Sequence, residues 1–115
     1  MLFRSIRINS QVKFYDLSSN LIHRMMDAIL MEIPPGHAFP TDQRDGEEFV
    51  IVLKGRIKVV TGDIETTLKA GDSMHFNSQL PHSSRNESKS TVTLLYVGTP
   101  SVMGEEPRLE KKRKA

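Results

Sequence analysis

Turn-forming residues recur along this chain at short intervals, and this spacing constrains the fold more than any other feature of the sequence. The signals between residues 34 and 81 are Pro34-Pro35-Gly36, Asp45-Gly46, Lys54-Gly55, Thr61-Gly62-Asp63, Ala70-Gly71-Asp72 and Leu80-Pro81. Strands of about four to eight residues fit between such turns, whereas most helices need longer uninterrupted segments. The spacing therefore predicts an all-β domain built from many short strands.

Alternation of apolar side chains places the strands between these turns. Residues 47–53 give the clearest pattern, with Val50 and Val52 on the same face as Glu48 and apolar residues on the other face too. Such a strand is expected to be covered on both sides. Further strands are predicted at residues 12–17, 24–33, 56–60, 64–68, 73–76 and 91–97. For residues 24–33 a helix is the competing interpretation, because Met, Ala and Leu favour helices.

Length and cysteine content limit the class of protein. The 115 residues allow one domain with one core, and the chain contains no cysteine. Disulfides and thiolate metal sites are thereby excluded, so any metal ligands must be His, Asp or Glu. No apolar run resembles a signal peptide or approaches the roughly 20 residues of a membrane span. We therefore expect a cytoplasmic protein without a membrane partner.

The positive charge of the chain is concentrated near its C-terminal end. The net charge is +2, and it would be −2 without the four cations of Lys111-Lys112-Arg113-Lys114. Because the remaining body is not basic, no direct nucleic-acid contact is expected of the folded part. Residues 1–98 are predicted to form the domain and residues 99–115 an extended or disordered basic tail. A phosphate-binding arm is the alternative interpretation of that tail.

A first spacing pattern lies before and within the clearest strand. Gly36 is followed after five residues by Asp42-Gln43-Arg44, after three more by Glu48, and after six more by Gly55. This pattern resembles the first motif of the cupin superfamily, a Gly, five residues, His-x-His, three or four residues, Glu, six residues and Gly. The frame matches without a gap, although both His positions are substituted.

A second spacing pattern follows about 15 residues later. Gly71 is followed after five residues by Asn77-Ser78-Gln79, after two more by His82, and after three more by Asn86. It resembles the second cupin motif, a Gly, five residues, Pro-x-Gly, two residues, His, three residues and Asn. The resemblance implies a double-stranded β-helix, or jelly-roll barrel, as a single domain. The chain looks most like the sensor domain that follows a helix-turn-helix in bacterial transcriptional regulators.

The departures from these motifs bear on function. In metal-binding cupins the two His and the Glu of the first motif and the His of the second bind one metal, and only Glu48 and His82 remain here. Asp42 could supply a carboxylate oxygen, whereas Arg44 stays protonated and repels a cation. We therefore predict that Arg44 replaces the metal as the positive partner of Glu48. The competing interpretation of Glu48 is a solvated carboxylate at the strand end, and that of His82 is a residue of a turn.

The leading functional interpretation is a non-catalytic barrel, without a cofactor, that binds a small polar or anionic ligand. The residues expected around the ligand are Asp42, Arg44, Glu48, Met74, Phe76, His82, Arg85 and Asn86, with Val50 and Val52 as further apolar walls. The alternative is a metal-dependent dioxygenase or isomerase that holds iron, manganese, nickel or zinc with Asp42, Glu48 and His82. A structural or oligomerisation role is the third interpretation. We also expect a homodimer, paired through an edge strand at residues 12–17.

Overall fold

The computed structural model describes residues 4–9 and 12–102, with side chains described from residue 12 onward. The described residues form ten strands: β1 (Arg4–Asn9), β2 (Val12–Asp16), β3 (Asp27–Ile33), β4 (Ala38–Asp42), β5 (Glu47–Lys54), β6 (Arg56–Thr61), β7 (Ile64–Lys69), β8 (Ser73–Asn77), β9 (His82–Arg85) and β10 (Val92–Thr99). Within these ranges no helix is long and apolar enough to cross a membrane.

The strands form two antiparallel sheets. The larger sheet has the order β1-β2-β3-β10-β5-β8, and the smaller one has the order β4-β9-β6-β7. The sheets enclose a common core of buried side chains: Val12, Ile33, Val52, Ile57, Val59, Leu68, Val92 and Leu94. The prediction of an all-β jelly-roll barrel is therefore confirmed.

Strand β5 follows the predicted alternation. Its inward face carries Glu48 and Val52, both buried, with Val50 between them. Ile51 lies on the opposite face and is only half-buried, so the core does not depend on it. The helical alternative for residues 24–33 is wrong, because residues 27–33 form β3 and bury alternate side chains such as Ile29 and Ile33.

The N-terminal part of the large sheet differs from the prediction. Residues 12–16 form β2, which pairs with β1 on one side and with β3 on the other. β2 is therefore an interior strand, and the proposal that it forms an open edge is wrong. The edges of the large sheet are β1 and β8. The homodimer itself stays a prediction.

Residues after β10 belong to the folded domain. The hydroxyl of Ser101 donates to Oδ1 of Asp27 at 2.6 Å, and the N–H of Val102 donates to Oδ2 at 2.8 Å. Nη2 of Arg24 lies 2.9 Å from Oδ1 of the same carboxylate. The boundary predicted after residue 98 is therefore too early, because β10 reaches Thr99 and residues 101–102 pack against Asp27. The rest of the predicted tail, residues 103–115, lies outside the described residues.

We expect substitution of a residue buried between the two sheets to lower the free energy of unfolding more than substitution of an exposed one. Leu68 on β7 is 4 % exposed, so Leu68→Ala should lower the free energy of unfolding by about 2–5 kcal/mol. Leu53 on β5 is 51 % exposed, and Leu53→Ala should change it by about 0.5 kcal/mol. Urea denaturation of both variants measures the difference. Equal costs for the two leucines would contradict the described packing.

Candidate functional site

A cavity of about 380 Å³ lies between the two sheets. Most of its wall is apolar, with side chains such as Ile29, Met31, Phe39, Val50, Val59 and Leu94. Pro40, Thr41 and Asp42 also line it and are exposed, so β4 forms part of a rim that faces solvent. The volume lies at the lower end of the range of about 300–1,000 Å³ that is usual for small-molecule pockets.

Glu48 is the centre of a polar cluster on the wall of this cavity. It is only 7 % exposed, because it lies on the inward face of β5. Its Oε2 accepts a hydrogen bond from the hydroxyl of Ser78 at 3.1 Å and lies 3.0 Å from Nε2 of His82. Nη2 of Arg44 is 3.8 Å from the same oxygen. A buried carboxylate requires such donors and a cation, and two segments supply them here: the β4–β5 loop and the connection from β8 to the start of β9.

His82, at the start of β9, is held by contacts on both sides of its ring. Its Nδ1 lies 2.7 Å from the carbonyl oxygen of Leu80, which can only accept, so this nitrogen donates. Its Nε2 faces Oε2 of Glu48 at 3.0 Å. The ring of Phe76 lies 5.1 Å away, centroid to centroid, and covers one side of the imidazole. His82 is thereby fixed in orientation within the cavity wall.

Arg44 is positioned by the loop that joins β4 to β5. Its N–H donates to the carbonyl oxygen of Ser78 at 3.0 Å, and the N–H of Ser78 donates to the carbonyl oxygen of Gly46 at 2.9 Å. Gly46 has a φ of 115°, and a Cβ there would lie 1.7 Å from the carbonyl oxygen of Thr99. Only glycine therefore lets this loop approach the end of β10 and carry Arg44 to the cavity.

The guanidinium of Arg44 connects Glu48 to a residue that the sequence analysis did not single out. Its Nη2 donates to the hydroxyl oxygen of Tyr96 at 2.6 Å. Its Nε is buried and makes no hydrogen bond with any described residue, although Oδ2 of Asp42 lies 3.9 Å away. Arg44 is thus within reach of two carboxylates and one phenol, as the prediction that it would be the positive partner of Glu48 required.

Tyr96 lies on the inward face of β10. Burial, and to a smaller degree the charge of Glu48, raises the pKa of Tyr96 to about 12, so the phenol is neutral at physiological pH. A Cβ at Gly98 would lie 2.0 Å from the Tyr96 hydroxyl oxygen, so the absent side chain makes room for this hydroxyl. The alternation of β10 could have indicated an inward tyrosine, because Val92 and Leu94 share its face.

The structure brings most of the predicted ligand residues together. The predicted residues that line the cavity are Asp42, Arg44, Glu48, Val50, Phe76 and His82. Met74 and Val52 contact the core instead, so their prediction as cavity walls is wrong.

Arg85 and Asn86 do not reach the cavity either. Arg85 forms ion pairs with Glu65 and Glu87, because its position on β9 alternates away from the face of His82. The buried amide of Asn86 donates to the carbonyl oxygens of Ile33 and Ser90, both at 2.9 Å, and stabilises the end of β9. Neither residue is therefore placed to orient a ligand in the cavity.

The residues present do not fit the metal site that the cupin resemblance implies. Nε2 of His82 and Oε2 of Glu48 are already at hydrogen-bond distance, and the Arg44 cation lies on the same carboxylate oxygen. The side chain of Asp42 is 59 % exposed, and its Oδ1 accepts the N–H of Gln43. Across residues 12–102, no three His, Asp or Glu side chains converge on one point. The arrangement is suited to binding through hydrogen bonds and apolar contact.

Comparisons with known proteins agree with this architecture. The chain is similar to TT1209 from Thermus thermophilus, at 26% identity and a TM-score of 0.65 over 76% of this chain and 83% of that one. It is also similar to an RmlC-like cupin from Shewanella frigidimarina, at 17% identity and a TM-score of 0.75 over 87% of this chain and 86% of that one. A third similar structure is the Cupin_2 domain of an XRE family transcriptional regulator from Enterobacter cloacae. Its identity is 18% and its TM-score is 0.70, over 78% of this chain and 97% of that one.

No functionally curated protein matches the chain. A family model described as a cupin domain matches residues 29–98, which run from β3 into β10. The matched range includes Arg44, Glu48, Ser78, His82 and Tyr96. This match covers more than half of the 115 residues. The chain therefore belongs to the cupin family.

Proposed function

We propose that this cupin is a non-catalytic binding module that holds one small molecule between its two sheets. The observation that carries the proposal is the combination of a largely apolar cavity of about 380 Å³ with one polar cluster, formed by Arg44, Glu48, His82 and Tyr96. Small-molecule sites have this composition, in which apolar walls supply binding energy and a few polar groups fix orientation. A ligand with an apolar body and one polar group fits it.

A sensor or regulatory role is part of the proposal. It is supported by the sequence motifs, which resemble those of sensor domains in transcriptional regulators. The likeness to the domain from Enterobacter cloacae, at 18% identity, concerns the fold alone. In such a role the ligand inside the barrel would be the signal, because a ligand shifts a protein toward the conformation that binds it better.

The cavity can be tested without knowing the natural ligand. Met31 lines the cavity, whereas Met25 is 79 % exposed in the loop before β3. In protein labelled with ¹³C at the methionine methyl groups, titration with ethylbenzene should shift the Met31 resonance saturably and leave the Met25 resonance unchanged. Met31→Leu assigns the signal. A response confined to Met25 would contradict the proposal, because it would place the probe on the outer surface.

Arg44 should stabilise the domain by compensating Glu48. Arg44→Met leaves a buried carboxylate without its cation and the Tyr96 hydroxyl without its donor, so we expect a loss of about 1–3 kcal/mol in the free energy of unfolding. Arg56 on β6 is exposed, and Arg56→Met should change stability by only about 0.5 kcal/mol. Denaturant titrations compare the two variants. If both cost the same, Arg44 is not the counter-ion of Glu48.

The alternative function, a metal-dependent enzyme, requires a bound metal. It can be tested by comparing metal binding by the parent protein with that by a variant in which both His of the first cupin motif are restored. Asp42 faces His82 across the β4–β9 pair, and Arg44 lies beside Glu48. The double variant Asp42→His/Arg44→His should therefore bind one equivalent of Ni²⁺ or Zn²⁺ in calorimetric titrations. We expect the parent protein to contain no stoichiometric metal on elemental analysis. One equivalent in the parent, lost on Glu48→Ala or His82→Ala, would favour the metal-dependent enzyme.

A further inference from the structure

Tyr96 provides a hydrogen-bond donor that the protein does not use. Its oxygen accepts a hydrogen bond from Nη2 of Arg44 at 2.6 Å, yet none of the described residues accepts the proton of its hydroxyl. A phenol both donates and accepts, so half of its hydrogen-bonding capacity is left. Tyr96 also lines the cavity, where a ligand could supply the missing acceptor. A ligand acceptor at this position would use the remaining donor capacity of the phenol.

The phenol retains its proton throughout the physiological pH range. Burial raises the pKa of Tyr96 to about 12, and the negative charges of Glu48 and Asp27 act in the same direction. A neutral phenol donates a hydrogen bond, whereas a phenolate would only accept. The group that faces the cavity is therefore a donor.

The charges around this hydroxyl disfavour an anion. Gly98 pairs with Asp27 on one side and with Glu48 on the other, and all three residues are buried. Because the Tyr96 hydroxyl occupies the space above Gly98, it lies between two carboxylates. A ligand carboxylate at this point would lie beside two carboxylates that are each already paired with an arginine, so it would gain little attraction there.

The charges of Arg44 and Arg24 are already paired with carboxylates, although Nε of Arg44 has no hydrogen-bond acceptor among the described residues. Nη2 of Arg44 lies 3.8 Å from Oε2 of Glu48, and its Nε lies 3.9 Å from Oδ2 of Asp42. Nη2 of Arg24 lies 2.9 Å from Oδ1 of Asp27. These positive charges are therefore largely compensated by the protein itself, and the site offers little net attraction to an anionic ligand.

We propose that Tyr96 is the ligand-selecting residue of this cavity, and that it recognises an uncharged molecule by donating its hydroxyl proton to a carbonyl oxygen. The ligand class is a largely apolar ketone, aldehyde, ester or amide. This inference rests on the proposed function, since it requires that the cavity hold a small molecule. It narrows the polar or anionic ligand that the sequence predicts to a neutral hydrogen-bond acceptor.

Three monocyclic probes separate the possible modes of recognition. Ethylbenzene is apolar, acetophenone adds a carbonyl oxygen, and benzoate carries a carboxylate. An apolar cavity of about 150 Å³ suffices for benzene, so these probes are small enough for a cavity of about 380 Å³. Their dissociation constants are measured by calorimetry or from the Met31 methyl resonance at neutral pH.

Tyr96→Phe removes only the hydroxyl and keeps the aromatic ring. It should weaken acetophenone binding by about tenfold, which corresponds to one hydrogen bond, and leave ethylbenzene binding within about twofold. Gly98→Ala should weaken acetophenone in the same direction, because a Cβ there would displace the hydroxyl. Tyr15→Phe is the matched control, since Tyr15 donates to Glu32 and does not line the cavity. It should change neither constant.

The outcomes distinguish this inference from the function on which it rests. If acetophenone and ethylbenzene both bind but Tyr96→Phe changes neither, the cavity holds small molecules and Tyr96 does not select them. If benzoate binds most tightly and Arg44→Met abolishes this preference, the site recognises anions and the inference is wrong. If no probe binds and the Met31 resonance is unchanged, the proposed function and the inference both fail.

Discussion

The buried carboxylate of Glu48 is the constraint on which the rest of the site depends. The alternation of β5 directs it inward, to a position where it is only 7 % exposed. An unpaired buried charge of this kind destabilises a domain by several kcal/mol. Arg44 from the β4–β5 loop, and Ser78 and His82 from the β8–β9 connection, meet it. The loops that carry these residues are therefore coupled to each other through one oxygen atom, and the cavity wall is ordered as a consequence.

A second buried carboxylate, that of Asp27 on β3, lies on the other side of β10. Asp27 is 1 % exposed and is stabilised by Arg24, Ser101 and the N–H of Val102. Because Gly98 separates the two carboxylates in the sheet, the hydroxyl of Tyr96 can lie between them. One part of the cavity wall is thus a layer of paired polar groups, whereas most of the remaining wall is apolar. Such a division would orient a ligand by its polar end.

Arg44 stands at a position where the sequence resemblance implies a metal-binding His in other cupins. A guanidinium carries a permanent charge and a fixed set of donors, so it can compensate Glu48 without any bound ion. It provides no open coordination position, which metal-dependent chemistry requires. The comparison with other cupins therefore establishes the architecture, and the function must be argued from Arg44, Glu48, His82 and Tyr96 themselves.

The sequence by itself determined the all-β class, the positions of β5 to β8 and β10, and the meeting of Arg44, Glu48 and His82. The strands follow from local alternation and turn residues, which are read within a short segment, whereas the meeting of Arg44, Glu48 and His82 was implied by the resemblance to the cupin motifs. Only the tertiary structure decided that β2 is interior, that Arg85 points away from the cavity, and that Tyr96 joins the site. It also placed Ser101 on Asp27, 74 residues earlier in the chain. Such contacts depend on which strands become neighbours and which face each residue takes, and a shift of one residue reverses that face.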